Sequence, residues 1–170
     1  LVEEALEAEP KMIDAYVLLA GMSIEEEDYD EAEEHIAKGL EVAEELGESP
    51  LELYTLRASL DLLQGKEDSE WTTKALEHNP AYGRIYADQA HFYVITRRYR
   101  EATGLLRKAI AVDPQLWSAH ADLGVNLMRQ GMEEEGRKHF EIAYEGDAFN
   151  PKTTNWLRLL DSFGNFETTS

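Results

Sequence analysis

Histidine and carboxylate are the residues with chemistry to offer here, because the sequence has five His, 35 Asp or Glu and no Cys. Without cysteine there is no disulfide, no thiolate zinc site and no cysteine nucleophile. His35, His78, His91, His120 and His139 stand apart, and none has another histidine three or four residues on. Two imidazoles on one helical face need that spacing to share a metal ion, so no metal site is expected. The run Glu25-Glu26-Glu27-Asp28-Tyr29-Asp30-Glu31 is dense in carboxylates but lacks the alternate ligand spacing and central glycine of a calcium loop. Acidic residues near the positive end of a helix account for it without an ion. No glycine-rich phosphate loop and no nucleophile elbow occurs, so neither a nucleotide cofactor nor catalysis is expected.

The remaining chemistry is electrostatic. Residues 1–80 hold 23 Asp or Glu against 5 Lys or Arg, and residues 81–170 hold 12 against 11. The first half of a chain with net charge −19 therefore carries nearly all of it. Such a surface repels nucleic-acid backbones and anionic membranes and favours basic partners. The plainer reading is a solvated helix face that aids solubility. No apolar run approaches a membrane span, so a soluble protein is expected, in the cytoplasm or a periplasm. The chain begins at Leu1 rather than Met, which reads as a piece of something longer.

The elements that carry these residues repeat. At 170 residues the chain is the size of one domain. Its five prolines, at 10, 50, 80, 114 and 151, precede apolar segments of helical spacing at intervals of 40, 30, 34 and 37. That period marks a helical-repeat architecture. Ser49-Pro50, Asn79-Pro80, Asp113-Pro114 and Asn150-Pro151 put a capping side chain before a proline, so each proline is expected to open a helix. A second break follows inside each interval, at Glu27-Asp28-Tyr29-Asp30, Gln64-Gly65-Lys66, Arg97-Arg98-Tyr99 and Gln130-Gly131-Met132. Each repeat is a helical hairpin. In the third, Tyr86, Ala90, Tyr93 and Val94 share one face, and Ala102, Leu105, Leu106, Ala109 and Ile110 follow after the turn. Small residues there let helix axes approach while the large ones fill the space between.

At these residues the sequence resembles the tetratricopeptide-repeat (TPR) family. The third unit matches with Tyr86, Ala90, Tyr93, Ala102, Leu106, Ala109 and Pro114, with Gln89 where the family has leucine. The fourth matches with Leu123, Gly124, Leu127, Gly131, Gly136, Phe140 and Ala143, and the first with Tyr16, Leu19, Ala20, Ala32, Ile36 and Gly39. The second keeps Tyr54, Ala58, Gly65 and Ala75 but lacks about two residues of the period before Trp71, so its second helix should be short or displaced. The resemblance implies an all-α solenoid wound as a right-handed superhelix, one domain over 1–170. It divides into a half-repeat over 1–9, repeats over 10–49, 50–79, 80–113 and 114–150, a capping helix over 151–163 and a tail over 164–170. His120 takes a large packing position in the fourth unit. The closing stretch from Ala143 through Thr168 also resembles the junction in bacterial proteins where such repeats precede a gluzincin-like zinc peptidase domain. That likeness implies a second reading, an accessory region of a metallopeptidase whose catalytic part lies past Ser170.

What the family resemblance implies for function is a non-catalytic scaffold that binds a peptide, a helix or a neighbouring domain in a concave groove. The repeat register puts Val17, Gly21, Ile24, Thr55, Ser59, Leu62, Arg84, Ala87, His91, Val94, Ala121, Val125 and Met128 on that face. Some of these residues could instead pack against adjacent repeats. Subfamilies that clamp a carboxylate terminus use Lys, Asn and Arg at positions held here by Val17, Gly21, Leu56, Arg84 and Asp88, and only Arg84 fits. Self-association through uncovered repeat edges is a third possibility.

Overall fold

The computed structural model describes residues 12–164. The half-repeat expected over 1–9, and all but the first residue of the expected tail, lie outside them. Among the described residues there are nine α-helices and no strand. They are α1 (Ile13–Glu25), α2 (Tyr29–Leu46), α3 (Leu51–Leu63), α4 (Glu70–His78), α5 (Arg84–Ile95), α6 (Tyr99–Val112), α7 (Trp117–Arg129), α8 (Glu133–Gly146) and α9 (Pro151–Gly164). The helices form two compact units, residues 1–89 and 90–170, with the division inside α5.

In the first unit α1 packs on α2 and α3, α2 on α3, and α3 on α4. Gly39 of α2 lies so close to α3 that a Cβ there would be 2.8 Å from Leu53 Cδ1. Further along, Ala58, Ala75 and Ile85 are fully buried beneath Tyr54, Trp71, Leu76 and Tyr82. The short second hairpin has a nine-residue α4, as expected from the missing residues. Its link is held by Asp61, a buried carboxylate that accepts a hydrogen bond from Ser69 Oγ at 2.7 Å and lies 3.3 Å from Lys66 Nζ and 3.6 Å from Arg57. A charge buried this deeply needs such partners. Gln89, at the position where the family has leucine, is buried and donates to Thr72 Oγ1 at 3.3 Å, so the amide is satisfied within the packing.

In the second unit α6 packs on α7, α7 on α8, and α8 on α9. Ala102, Leu106 and Ala109 form the buried row of α6. Asn126 on α7 donates to Tyr99 O and to Thr103 Oγ1, both at 2.7 Å, and Gln130 donates to Thr103 Oγ1 at 2.8 Å. These bonds tie the first turn of α6 to α7.

The hairpin turns share one backbone solution. In each, a left-handed residue follows the first helix: Glu27 (φ 63), Gly65 (φ 87), Arg97 (φ 60) and Gly131 (φ 76). The next amide then reaches back to the helix: Asp28 N to Ser23 O, Lys66 N to Asp61 O, Arg98 N to Tyr93 O and Met132 N to Leu127 O, at 2.8–3.0 Å. This is the Schellman termination, in which glycine costs least. Glu27 and Arg97 hold the same conformation with a side chain, at a cost of about 1 kcal/mol each.

The prolines behave less uniformly than their spacing implies. Pro151 opens α9 as expected, with Asn150 Oδ1 accepting from Lys152 N at 3.0 Å. Pro50 is instead the residue before α3, and α5 and α7 start several residues beyond Pro80 and Pro114. Asn79 Oδ1 accepts from Ala81 N and Asp113 Oδ1 from Gln115 N, both at 3.0 Å, whereas Asn150 Oδ1 also accepts from Thr153 N at 3.4 Å, one residue further into the helix. Asn79 and Asp113 each close a turn of their own rather than capping the helix directly.

Candidate functional site

The residues expected on the binding face divide by accessibility. Ile24, Thr55, Ser59 and Leu62 in the first unit, and Ala121 in the second, are buried within the single chain. Val17, Gly21 and Ala87 are half-buried and Arg84 is exposed in the first unit; Val94, Val125 and Met128 are half-buried and His91 is exposed in the second. Thr55 and Ser59 turn their hydroxyls onto the helix itself, to Leu51 O at 2.9 Å and Thr55 O at 2.8 Å. Met128 packs toward Gly136, where a Cβ would lie 3.1 Å from its Sδ. Gly21 is different, since a Cβ there would meet nothing among the described residues within 4 Å. Arg84 lies 3.8 Å from Asp88 and 3.9 Å from Glu52, so its charge is already partnered.

The structure brings together two histidines that sequence spacing keeps apart. His120 on α7 and His139 on α8 meet with their Nδ1 atoms 3.0 Å apart, and His120 Nε2 is 3.2 Å from Pro114 O. A carbonyl oxygen only accepts, so His120 carries its proton on Nε2 and its Nδ1 accepts from His139 Nδ1–H. Two imidazolium rings could not make this contact. Burial pushes both rings below the ordinary imidazole value, and for His139 the neighbouring His120 and Arg107 act in the same direction against an upward pull from Glu135. His120 is thus a packing residue, as expected. Spacing of three or four residues relates side chains along one helix, whereas this pair joins two.

The sign of the pH response follows. The folded pKa values lie below the unfolded ones, so the unfolded chain binds more protons as pH falls through about 6.5. The stability contributed by the neutral pair is complete above that value and declines as pH drops toward the folded pKa values. Urea unfolding at pH 7.5 and about 5.5 is expected to show lower stability at the acidic end, with a smaller difference in His139→Gln. An equal difference in the variant would place the titrating groups elsewhere.

Among the described residues no group of three or more His, Asp or Glu could hold a metal ion, and no helix is long and apolar enough to cross a membrane. The acidic run occupies the first hairpin turn. Asp28 Oδ1 caps α2 by accepting from Glu31 N at 3.1 Å, the structural role expected of it.

Known proteins with this architecture share the repeat. Similar structures include PilF of Pseudomonas aeruginosa, with 18% identity, a TM-score of 0.59 and coverage of 90% of this chain and 69% of that one. The first TPR domain of RPAP3 (Spaghetti), bound to the HSP90 peptide SRMEEVD, has 20% identity and a TM-score of 0.53, covering 68% and 95%. YrrB, a TPR protein with an unusual peptide-binding site, has 16% identity and a TM-score of 0.50, covering 91% and 78%. In sequence, a rice (Oryza sativa subsp. japonica) SGT1 homolog is 27% identical over 93 residues, 55% of this chain. The chain spans only about a quarter of that protein's length. No known family profile matches the chain. Its fold is the all-α helical-hairpin solenoid of TPR proteins.

Proposed function

We propose that this chain is a non-catalytic protein-interaction module that takes a peptide or helix against the first helices of its hairpins. The observation that carries the reading is a contrast between helix faces. Of the positions expected on the binding face, the accessible ones are mostly small or apolar, namely Val17, Gly21 and Ala87 in the first unit and Val94, Val125 and Met128 in the second, beside the exposed Arg84 and His91. Second helices present charge to water instead, as in Glu33, Glu34, Lys38 and Glu41 on α2 and Glu133, Glu134, Lys138 and Glu141 on α8. An apolar segment inserted by its side chains suits the first surface and gains nothing from the second. Among the described residues the space above Gly21 is open to such a side chain, and the acidic N-terminal half would draw a segment with basic flanks. RPAP3, whose domain holds a peptide, gives a precedent for this use of the fold. Its acidic peptide is not the ligand class favoured here, because only Arg84 occupies a clamp position and its charge is taken up.

Peptides selected from a displayed library against the intact chain test the reading. Val94→Glu, which puts an unpaired carboxylate on the apolar contact, is expected to weaken them by about tenfold or more. The helical circular-dichroism signal should be kept, and Ile142→Glu on α8 should change little. Peptides that ignore Val94→Glu and respond to Ile142→Glu would move the binding face to the second helices.

A further inference from the structure

Basic residues are few on this chain, and most sit beside a carboxylate, as Arg57, Arg84, Arg107 and Arg137 do. The turn from α5 to α6 breaks that pattern. Arg97 and Arg100 are exposed and make no ion pair among the described residues; Arg98 pairs with Glu101 at 3.1 Å and stacks on Tyr93 at 4.3 Å. Arg129, at the end of α7, has its guanidinium 5.4 Å from the Tyr99 ring and no carboxylate partner among the described residues. Between the two turns lies an open cleft of about 520 Å³, lined by Arg97, Arg98, Tyr99, Arg100, Gln130 and Met132, together with Glu101. Met132 is 46% exposed and offers an apolar floor beside the guanidinium groups.

We infer that this cleft is a docking site for an acidic peptide segment, separate from the first-helix face and independent of the function proposed for it. Charge complementarity selects the occupant. Guanidinium forks favour carboxylates, and the side chain at Arg97 is maintained in a left-handed conformation that glycine occupies in the equivalent turns at Gly65 and Gly131. The matching turn in the first unit carries the opposite charge on the same backbone, with Glu26, Glu27, Asp28, Tyr29 and Asp30 around an open cleft of about 470 Å³. That segment supplies a probe of the required chemistry. Tyr99 and Met132 give the contact an apolar component that a simple ion lacks, which favours a peptide over free phosphate.

The test is an anisotropy titration of the labelled peptide EEEDYDE with the intact chain. Saturable binding is expected, weaker when salt rises from about 50 to about 500 mM. Arg97→Gly with Arg100→Gln should reduce affinity by about tenfold, the loss of two partly screened charge contacts. Glycine suits the Arg97 backbone, so this variant keeps the turn. Lys138→Gln with Arg158→Gln changes net charge equally and should leave binding unchanged. Absence of binding, equal losses in both double variants, or full displacement by inorganic phosphate at equivalent ionic strength would overturn the proposal.

Discussion

Phe140→Ala is expected to cost about 3–5 kcal/mol of unfolding free energy, the range for removing a fully enclosed aromatic ring. Phe140 on α8 is 0% exposed and stacks on Trp156 of α9 with ring centroids 5.7 Å apart and planes at 10°. On the other side the ring lies over Gly124 of α7, where a Cβ would be 2.7 Å from Cε1 and 2.8 Å from Cδ1. Gly136 repeats the intimacy in reverse, its would-be Cβ 3.1 Å from Gly124 O. The two helices therefore meet with backbone against ring and backbone against backbone. The ring cannot retreat from an added methyl, because Trp156 blocks the far side. Gly124→Ala alone is expected to destabilise despite the helix-propensity gain of about 1 kcal/mol. In the Phe140→Ala background the same methyl enters vacated space, and Gly124→Ala should become stabilising. Urea denaturation of the two single variants and the double variant measures this coupling. Additive effects would mean that ring and glycine do not share the space assigned to them.

The same residues show what could be read before the structure. Gly124, Gly136, Phe140 and the buried alanines were legible because a hairpin repeat assigns size by position, and packing at close helix approach tolerates little else. The short α4 was legible as a deficit of residues after Gly65. The starts of α5 and α7 were not, since Asn79 and Asp113 have two local hydrogen-bonding choices and the sequence does not say which one each takes. His120 could be placed in the packing, but its contact with His139 depends on how two helices meet, which no spacing within either helix encodes. The cleft at Arg97 and Arg100 was hidden by a different cause. Charge summed over residues 81–170 comes close to neutral, and that sum erases a cluster in which Arg97 and Arg100 make no ion pair among the described residues. For the first-helix face, register alone named Ile24, Ser59 and Leu62 beside Val17 and Val94. Only the packing of each helix against its neighbours separates the buried members from the accessible ones.

Register along α6 can be tested by two substitutions two residues apart with opposite expected signs. Ala102 is 0% exposed in the buried row that includes Leu106 and Ala109. Ala102→Leu forces a larger side chain between packed helices and is expected to lower stability by about 1–3 kcal/mol. Gly104 lies on the exposed side, where a Cβ would meet nothing among the described residues within 4 Å. Gly104→Ala therefore encounters no clash and reduces the freedom of the unfolded chain, for an expected gain of up to about 1 kcal/mol. Successive residues turn by about 100° around a helix, so positions 102 and 104 face nearly opposite directions. A helix rotated by half a turn would exchange the two outcomes, whereas a loosely packed α6 would reduce the first and keep the second. Thermal or urea unfolding of this pair thus reports on the orientation of α6 and on the tightness of its packing as separate quantities.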